Sequence, residues 1–310
     1  MWNRGSISAA RKQIQPDTSH HLTASRPPLS GLKVVGRREY NNVIGNLLKK
    51  INKETYFLKT CAYCGTTNPL TKEHIWPKGI INRVPSYIGR YSERANKVQA
   101  GELVIKDVCQ FCNNGSLSKL DDYLCNLFDS FFKDFVREYE TVNFAYDYDL
   151  LARVLLKLSF NTARASKQPI DLFSPMIPYI LGTENSRPNN FSILVNLVKP
   201  TKVLKNGIIR NVYPSGVRSG RFELPTLDYR DVQYRVISIN SYYFYLLLFN
   251  GVKQQQVINE TSDITSSQLI SSDATQLMLS LSNTDTFSVY EDHFKKNEKT
   301  YKDFLEKHNP

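Results

Sequence analysis

Cys61-Ala62-Tyr63-Cys64-Gly65, then Leu70-Thr71-Lys72-Glu73-His74-Ile75-Trp76-Pro77, then Val108-Cys109-Gln110-Phe111-Cys112-Asn113-Asn114: these three strings decide the reading of this 310-residue chain. A CxxC unit presents two thiolates on one side of a tight turn, and two such units brought together make the tetrahedral sulfur cage that Zn²⁺ prefers. The spacing therefore predicts a zinc site built from Cys61, Cys64, Cys109 and Cys112, with the residues between the pairs held against it. Inside the bracket a carboxylate and an imidazole stand side by side, Glu73 and His74, which a purely structural knuckle does not need. A redox pair or a disulfide framework is the other use of such cysteines. The acid–histidine pair and the lack of a secretory signal weigh for the metal.

With Leu120-Asp121 downstream, the three strings resemble the zinc-knuckle branch of the HNH endonucleases, over about residues 58 to 125. The resemblance implies a ββα-metal core, in which a β-hairpin packs on one helix around a single divalent ion. It favours Asn113, directly after the last knuckle cysteine, as a ligand of that ion, and leaves Asn114-Gly115 as a turn pair, with Asn114 the alternative ligand. The chain departs from the pattern twice. The middle Asn of the family lies shortly before the second knuckle, but Gly101 to Asp107 holds none, and Asn96 is the nearest upstream. The 44 positions from residue 65 to residue 108 are also a generous separation. The extra length carries Arg83, Arg90, Arg94 and Lys97 with Tyr87 and Tyr91, and reads either as a loop lying on a phosphate backbone or as a solvated insertion.

Phosphodiester hydrolysis needs a nucleophilic water, a base for its proton, and positive charge where the phosphate gathers negative charge. His74 suits the base, because an imidazole of ordinary pKa is largely neutral at pH 7. Oxygen ligands such as Glu73 and an Asn amide carbonyl suit Mg²⁺ or Mn²⁺. Adjacent side chains on a strand point to opposite faces, so Glu73 and His74 share one site only if the strand end is bent. Asp121 lies eight residues beyond Asn113, about two helical turns, which places it too far along the axis for the same ion and fits it to a salt bridge.

Composition bounds the rest. The formal net charge is +11, from 40 basic and 29 acidic residues, and favours a polyanionic partner. Residues 1 to 60 carry 11 Lys and Arg against 3 acids, residues 61 to 150 carry 10 against 12, and residues 151 to 310 carry 19 against 14. The candidate core is thus close to neutral, and flanking segments are expected to supply the grip on DNA. No apolar run reaches membrane-spanning length.

Residues 1–38 read as a basic, disordered tail. Residues 39–138 read as the nuclease domain with its zinc knuckles, opening on an amphipathic helix over Glu39 to Lys53. A strand at Tyr56 to Leu58 follows, and an apolar stripe from Leu117 to Phe135 marks a helix running from Ser116 to about Arg137. Residues 139–310 read as an accessory α+β domain. A helix there has an apolar face through Leu150, Leu151, Val154, Leu155 and Leu158. Arg153, Lys157, Asn161 and Arg164 form a polar stripe along it, either solvated or tracking phosphates. Phe191 to Val198 and Val232 to Asn250 read as strands, the second broken by a turn at Asn240-Ser241. Val257 to Thr286 resists assignment, and a charged helix is expected over Tyr290 to Lys307.

The sequence is thus expected to encode an α+β, metal-dependent DNA endonuclease with structural zinc and catalytic Mg²⁺ or Mn²⁺, cytoplasmic and nucleoid-associated, with room for a protein partner on its C-terminal half. A non-catalytic zinc-ribbon protein that binds nucleic acid is the alternative. An RNase or toxin effector using the same site is a third.

Overall fold

A computed structural model describes residues 59–84, 89–92, 97–100, 103–205, 208–213, 216–221, 224, 231–251, 254–285, 299, 300 and 303. The tail, the Glu39–Lys53 helix and the Tyr56–Leu58 strand lie outside these residues, as does nearly all of the terminal helix. Met1–Tyr56 and Phe57–Pro310 are separate compact units, and every described residue belongs to the second.

The described residues mix helix and sheet, as expected for an α+β chain. β1 (Leu70–His74) pairs antiparallel with β4 (Val104–Cys109). Between them come α1 (Lys78–Arg83) and a hairpin of β2 (Gly89–Ser92) and β3 (Lys97–Ala100), so the long insertion is partly strand rather than loop. β4 runs directly into α2, whose successive turns are Gln110–Cys112, Asn113–Leu117, Ser118–Leu127 and Phe128–Phe132. The second and fourth of these are π-helical. The helix therefore starts six residues earlier than the apolar stripe implies, because Cys109 caps it: its sulfur accepts from the Cys112 N–H.

Behind this module, β5 (Thr141–Ala145) leads into α3 (Tyr148–Ala165), whose first turn is capped by the Asp147 carboxylate accepting from Leu150 N at 2.9 Å. A 3₁₀ turn over Asp171–Met176 precedes the short α4 (Ile177–Leu181). Then come β6 (Phe191–Lys199), β7 (Thr201–Lys205) paired with β8 (Ile208–Tyr213), β9 (Val217–Arg221), β10 (Val232–Ile239), β11 (Tyr242–Phe249), α5 (Gln254–Thr265), β12 (Gln268–Leu269) and β13 (Gln276–Asp285). The large sheet has the order β5-β13-β6-β11-β10-β9, with β12 also on β6. β13 runs parallel to β6, and the other pairings in it are antiparallel.

Strict alternation along the central strands explains why they are apolar throughout. Ile193, Val195 and Leu197 with Tyr242, Phe244, Leu246 and Leu248 face one core. Leu194 and Val198 with Tyr243, Tyr245, Leu247 and Phe249 face a second, which α5 covers through Val257 and Ile258. The first core continues without interruption from Cys61 and Ile75 through α2 and α3 to Leu279, so the expected nuclease and accessory regions share one interior. The Asn240-Ser241 turn holds the end of α2 to the sheet. Asn240, at φ 48°, donates to Phe132 O at 2.7 Å, and Ser241 Oγ accepts from Val136 N at 3.0 Å.

α4 ends at Gly182, which adopts φ +70° and lies under the Arg153 guanidinium. A Cβ there would come within 2.4 Å of Arg153 Nη2. Gly182→Ala is therefore expected to cost about 1–2 kcal/mol, from the left-handed backbone together with displacement of Arg153, read as a lower urea midpoint at unchanged slope.

Candidate metal centre

Two turns make the sulfur cage. The first knuckle closes through Gly65, at φ +71°, whose N–H donates to Cys61 O at 2.9 Å. It is tied to β4 by Ala62 N donating to Asp107 O at 2.8 Å. The second is the β4–α2 junction. The four sulfurs of Cys61, Cys64, Cys109 and Cys112 all lie within 4.8 Å of one another, and Cys64 Sγ stands 3.6 Å from Cys109 Sγ. Three of the four side chains are buried, with Cys64 toward solvent. Zinc–thiolate bonds of about 2.3 Å need sulfurs a little under 4 Å apart, so the set can close on one Zn²⁺ with small adjustments.

The local electrostatics favour thiolate at one position. Burial works against the Cys61 thiolate, but the backbone N–H groups of Cys109, Cys64 and Tyr63 outweigh it and bring this cysteine down to about 7. Cys109 N approaches Cys61 Sγ at 3.3 Å. Burial raises Cys112, and its sulfur neighbours add to the rise. Cys125 is apart from the cage on the α1 side of α2, its sulfur 2.6 Å from where a Cβ on Gly79 would lie.

Of the residues read as catalytic, Asn113 adjoins the cage next to Cys112, whereas His74 lies at the other end of β1, since Leu70 and not His74 pairs with Cys109. His74 ends the strand, half-buried, opposite Val104. Asn113, on the first π turn of α2, donates through Nδ2 to Thr71 Oγ1 and to Lys72 O, both at 2.9 Å, so its amide ties the helix to β1. Asn114 is exposed on the same turn. Between Thr71 and Glu73 the strand advances two residues while β4 advances three, a bulge that bends the hairpin just before His74.

Glu73 goes the other way. Only 3% exposed, it points inward to α3, where its Oε1 lies 2.9 Å from Lys157 Nζ and accepts from Asn161 Nδ2 at 3.1 Å. Lys157, fully buried at 0%, also pairs with Asp121, giving that residue the salt bridge its position called for. Asn161 Oδ1 accepts from Tyr63 OH at 2.7 Å and from Arg164, whose guanidinium pairs in turn with Asp107 and lies 4.5 Å from the Phe160 ring centroid. Burial raises the Asp121 carboxyl against the attraction of Lys157, and holds the Tyr63 phenol well above its usual range.

This geometry corrects the reading of the α3 stripe. Most of it faces the protein interior rather than solvent. Lys157 and Asn161 are wholly buried, Arg164 is nearly so, and Arg153 donates through Nε to Ile180 O at 3.1 Å while covering Gly182. The reason is that α3 packs against α2, β4, β9, β10 and α4 together, so little of its circumference is left for water. Arg83 is exposed but forms a two-pronged pair with Asp129 at 2.8 Å. Arg90 and Lys97 fall on β2 and β3, while Arg94 and Asn96 lie outside the described residues.

Tyr63 and Asp107 carried no assigned role in the sequence, and Asn161 stood there only as part of the solvated or phosphate-tracking stripe, not as the interior hub it is. The signal for Asn161 was available: it sits four residues from Lys157 on a helix with apolar residues on most of its sides, which leaves no solvated face. Among the described residues, the four cysteines are the one group of three or more His, Cys, Asp or Glu side chains placed to hold an ion, and no helix is long and apolar enough to cross a membrane. Comparison of the chain with family models, with curated proteins and with solved structures gives no match.

Proposed function

We propose that this chain is a zinc-clamped HNH-type endonuclease that hydrolyses phosphodiester bonds of DNA, with His74 as general base. One observation carries the reading. A short hairpin and the helix that follows it are drawn together by four cysteine sulfurs and by the Asn113 amide, and His74 stands at the bent end of that hairpin. Cys61, Cys64, Cys109 and Cys112 would hold the zinc. Four thiolates leave it no open position, so what it supplies is a fixed scaffold. The His74 imidazole takes the proton of the attacking water, and Asn113 keeps β1 in register with α2.

The Mg²⁺ or Mn²⁺ that the resemblance implies fits the residues poorly, because Glu73 is buried against an ammonium and an amide N–H. The same observation favours the second reading, a zinc-ribbon protein that binds nucleic acid without cutting it, since that function needs no carboxylate beside His74.

Cleavage of supercoiled plasmid, linear duplex, single-stranded DNA and RNA by the zinc-loaded protein separates the readings. His74→Ala is expected to keep its zinc and its DNA affinity while strand cleavage falls by roughly 10²- to 10⁴-fold, the usual worth of a positioned base. A variant that cuts at the wild-type rate, with chemistry limiting turnover, would remove His74 from the mechanism. RNA as the preferred substrate would move the chain to the RNase reading.

A further inference from the structure

The Glu73–Lys157–Asp121 cluster, which links β1, α2 and α3, is the least expected arrangement in this part of the fold. Resting on the nuclease reading and deepening it, we infer that the core carries its second cation as a side chain: Lys157 occupies, between Glu73 and Asp121, the place a divalent ion would take. Glu73 is then not an ion ligand.

The chemistry of the donors carries this. An ammonium has three N–H donors and no acceptor. Two of its directions are used, one toward Glu73 Oε1 at 2.9 Å and one toward Asp121 Oδ1. Glu73 Oε1 is engaged a second time by Asn161 Nδ2. A divalent ion bound there would sit within a few ångströms of a buried positive charge, where repulsion is barely screened. The lysine comes from α3, outside the stretch that carries the family resemblance, so a short-motif reading cannot register it. Two carboxylates facing one fully buried cation also explain why the polar stripe of α3 turns inward.

The test is manganese binding by the full-length, zinc-loaded protein, followed by electron paramagnetic resonance of free Mn²⁺ and by thermal melting with and without MnCl₂. Wild type and Glu73→Gln are expected to give titrations that agree within about twofold and melting temperatures that manganese leaves unchanged. Lys157→Ala, with two carboxylates and a vacated volume, is expected to gain saturable Mn²⁺ binding and to melt roughly 3 °C or more higher in its presence. Wild-type binding that Glu73→Gln weakens tenfold would overturn the inference, and so would a folded Lys157→Ala that gains nothing. Should Lys157→Ala fail to fold, the comparison of wild type with Glu73→Gln decides alone. None of these readouts involves cleavage, so an inactive wild-type protein would sink the nuclease reading and leave this result standing.

Discussion

Cys109→Ser is expected to abolish zinc binding and to unfold the module around β1, β4 and the head of α2. Cys109 has three tasks at once. It is a member of the cage, its sulfur caps α2 by accepting from Cys112 N, and its own N–H reaches Cys61 Sγ at 3.3 Å. Oxygen for sulfur weakens the first and shortens the reach of the second. Binding of structural zinc is coupled to folding and worth about 10–16 kcal/mol in small zinc domains, comparable to the whole net stability of about 5–15 kcal/mol that a typical domain has. Elemental analysis of wild type should give one zinc per chain, and near-UV circular dichroism should be lost in the variant or on prolonged exposure to a strong chelator. Cys125→Ser, away from the cage, should change neither. Folded wild-type protein without zinc would end the assignment.

The second large effect belongs to Lys157→Met, expected to cost about 3–5 kcal/mol, because removing one partner of a buried ion pair strands the other. Here two carboxylates are stranded, Glu73 and Asp121. Glu73→Gln should cost much less, since it leaves Lys157 matched one to one with Asp121. The loss should also depend on pH with a definite sign. Burial already raises Asp121 in the folded protein. A carboxylate whose folded pKa lies above its unfolded value weakens the fold as pH rises through the window between the two. Without Lys157 that window widens upward, so the deficit should be largest near pH 8 and should shrink toward pH 5. Urea melts of both variants at the two pH values check this. A deficit under about 1 kcal/mol at pH 8 would show that the pair is not what holds α3 to β1.

Local chemistry was the legible part of this sequence. The two CxxC units specify a cage because the ligand atoms are set by spacing, and the strands over Phe191–Lys199 and Val232–Phe249 declare themselves through β-branched and aromatic runs around a turn residue. What could not be read is which way a polar side chain faces when two layers close on it. Glu73 and His74 are neighbours in sequence, yet the bulge and α3 send them to different surroundings. Lys157 and Arg164 have the spacing of a phosphate-tracking stripe, and only the packing of α3 against β4 and β10 turns them into interior ion pairs. The Ser-, Thr- and Gln-rich stretch after Val257 hid the helix Gln254–Thr265 and the strand Gln276–Asp285, because its short polar side chains favour neither period.

That last strand has a consequence for synthesis. β13 lies between β5 and β6, so β5, made by residue 145, has no sheet partner in the described residues until residues 276–285 leave the ribosome. At ordinary translation rates that interval is on the order of ten seconds. Throughout it the nascent chain carries Phe144 on a strand whose edge is unpaired, and Tyr242 and Phe244, which pack on Phe144, are themselves made only in the last part of that interval. The four cysteines of the cage are all made by residue 112, so the proposed zinc can be taken up early, whereas the sheet waits for residues 276–285. A ribosome stalled before residue 276 would therefore hold a chain whose cysteine cage is complete while β5 is still open to chaperones and proteases.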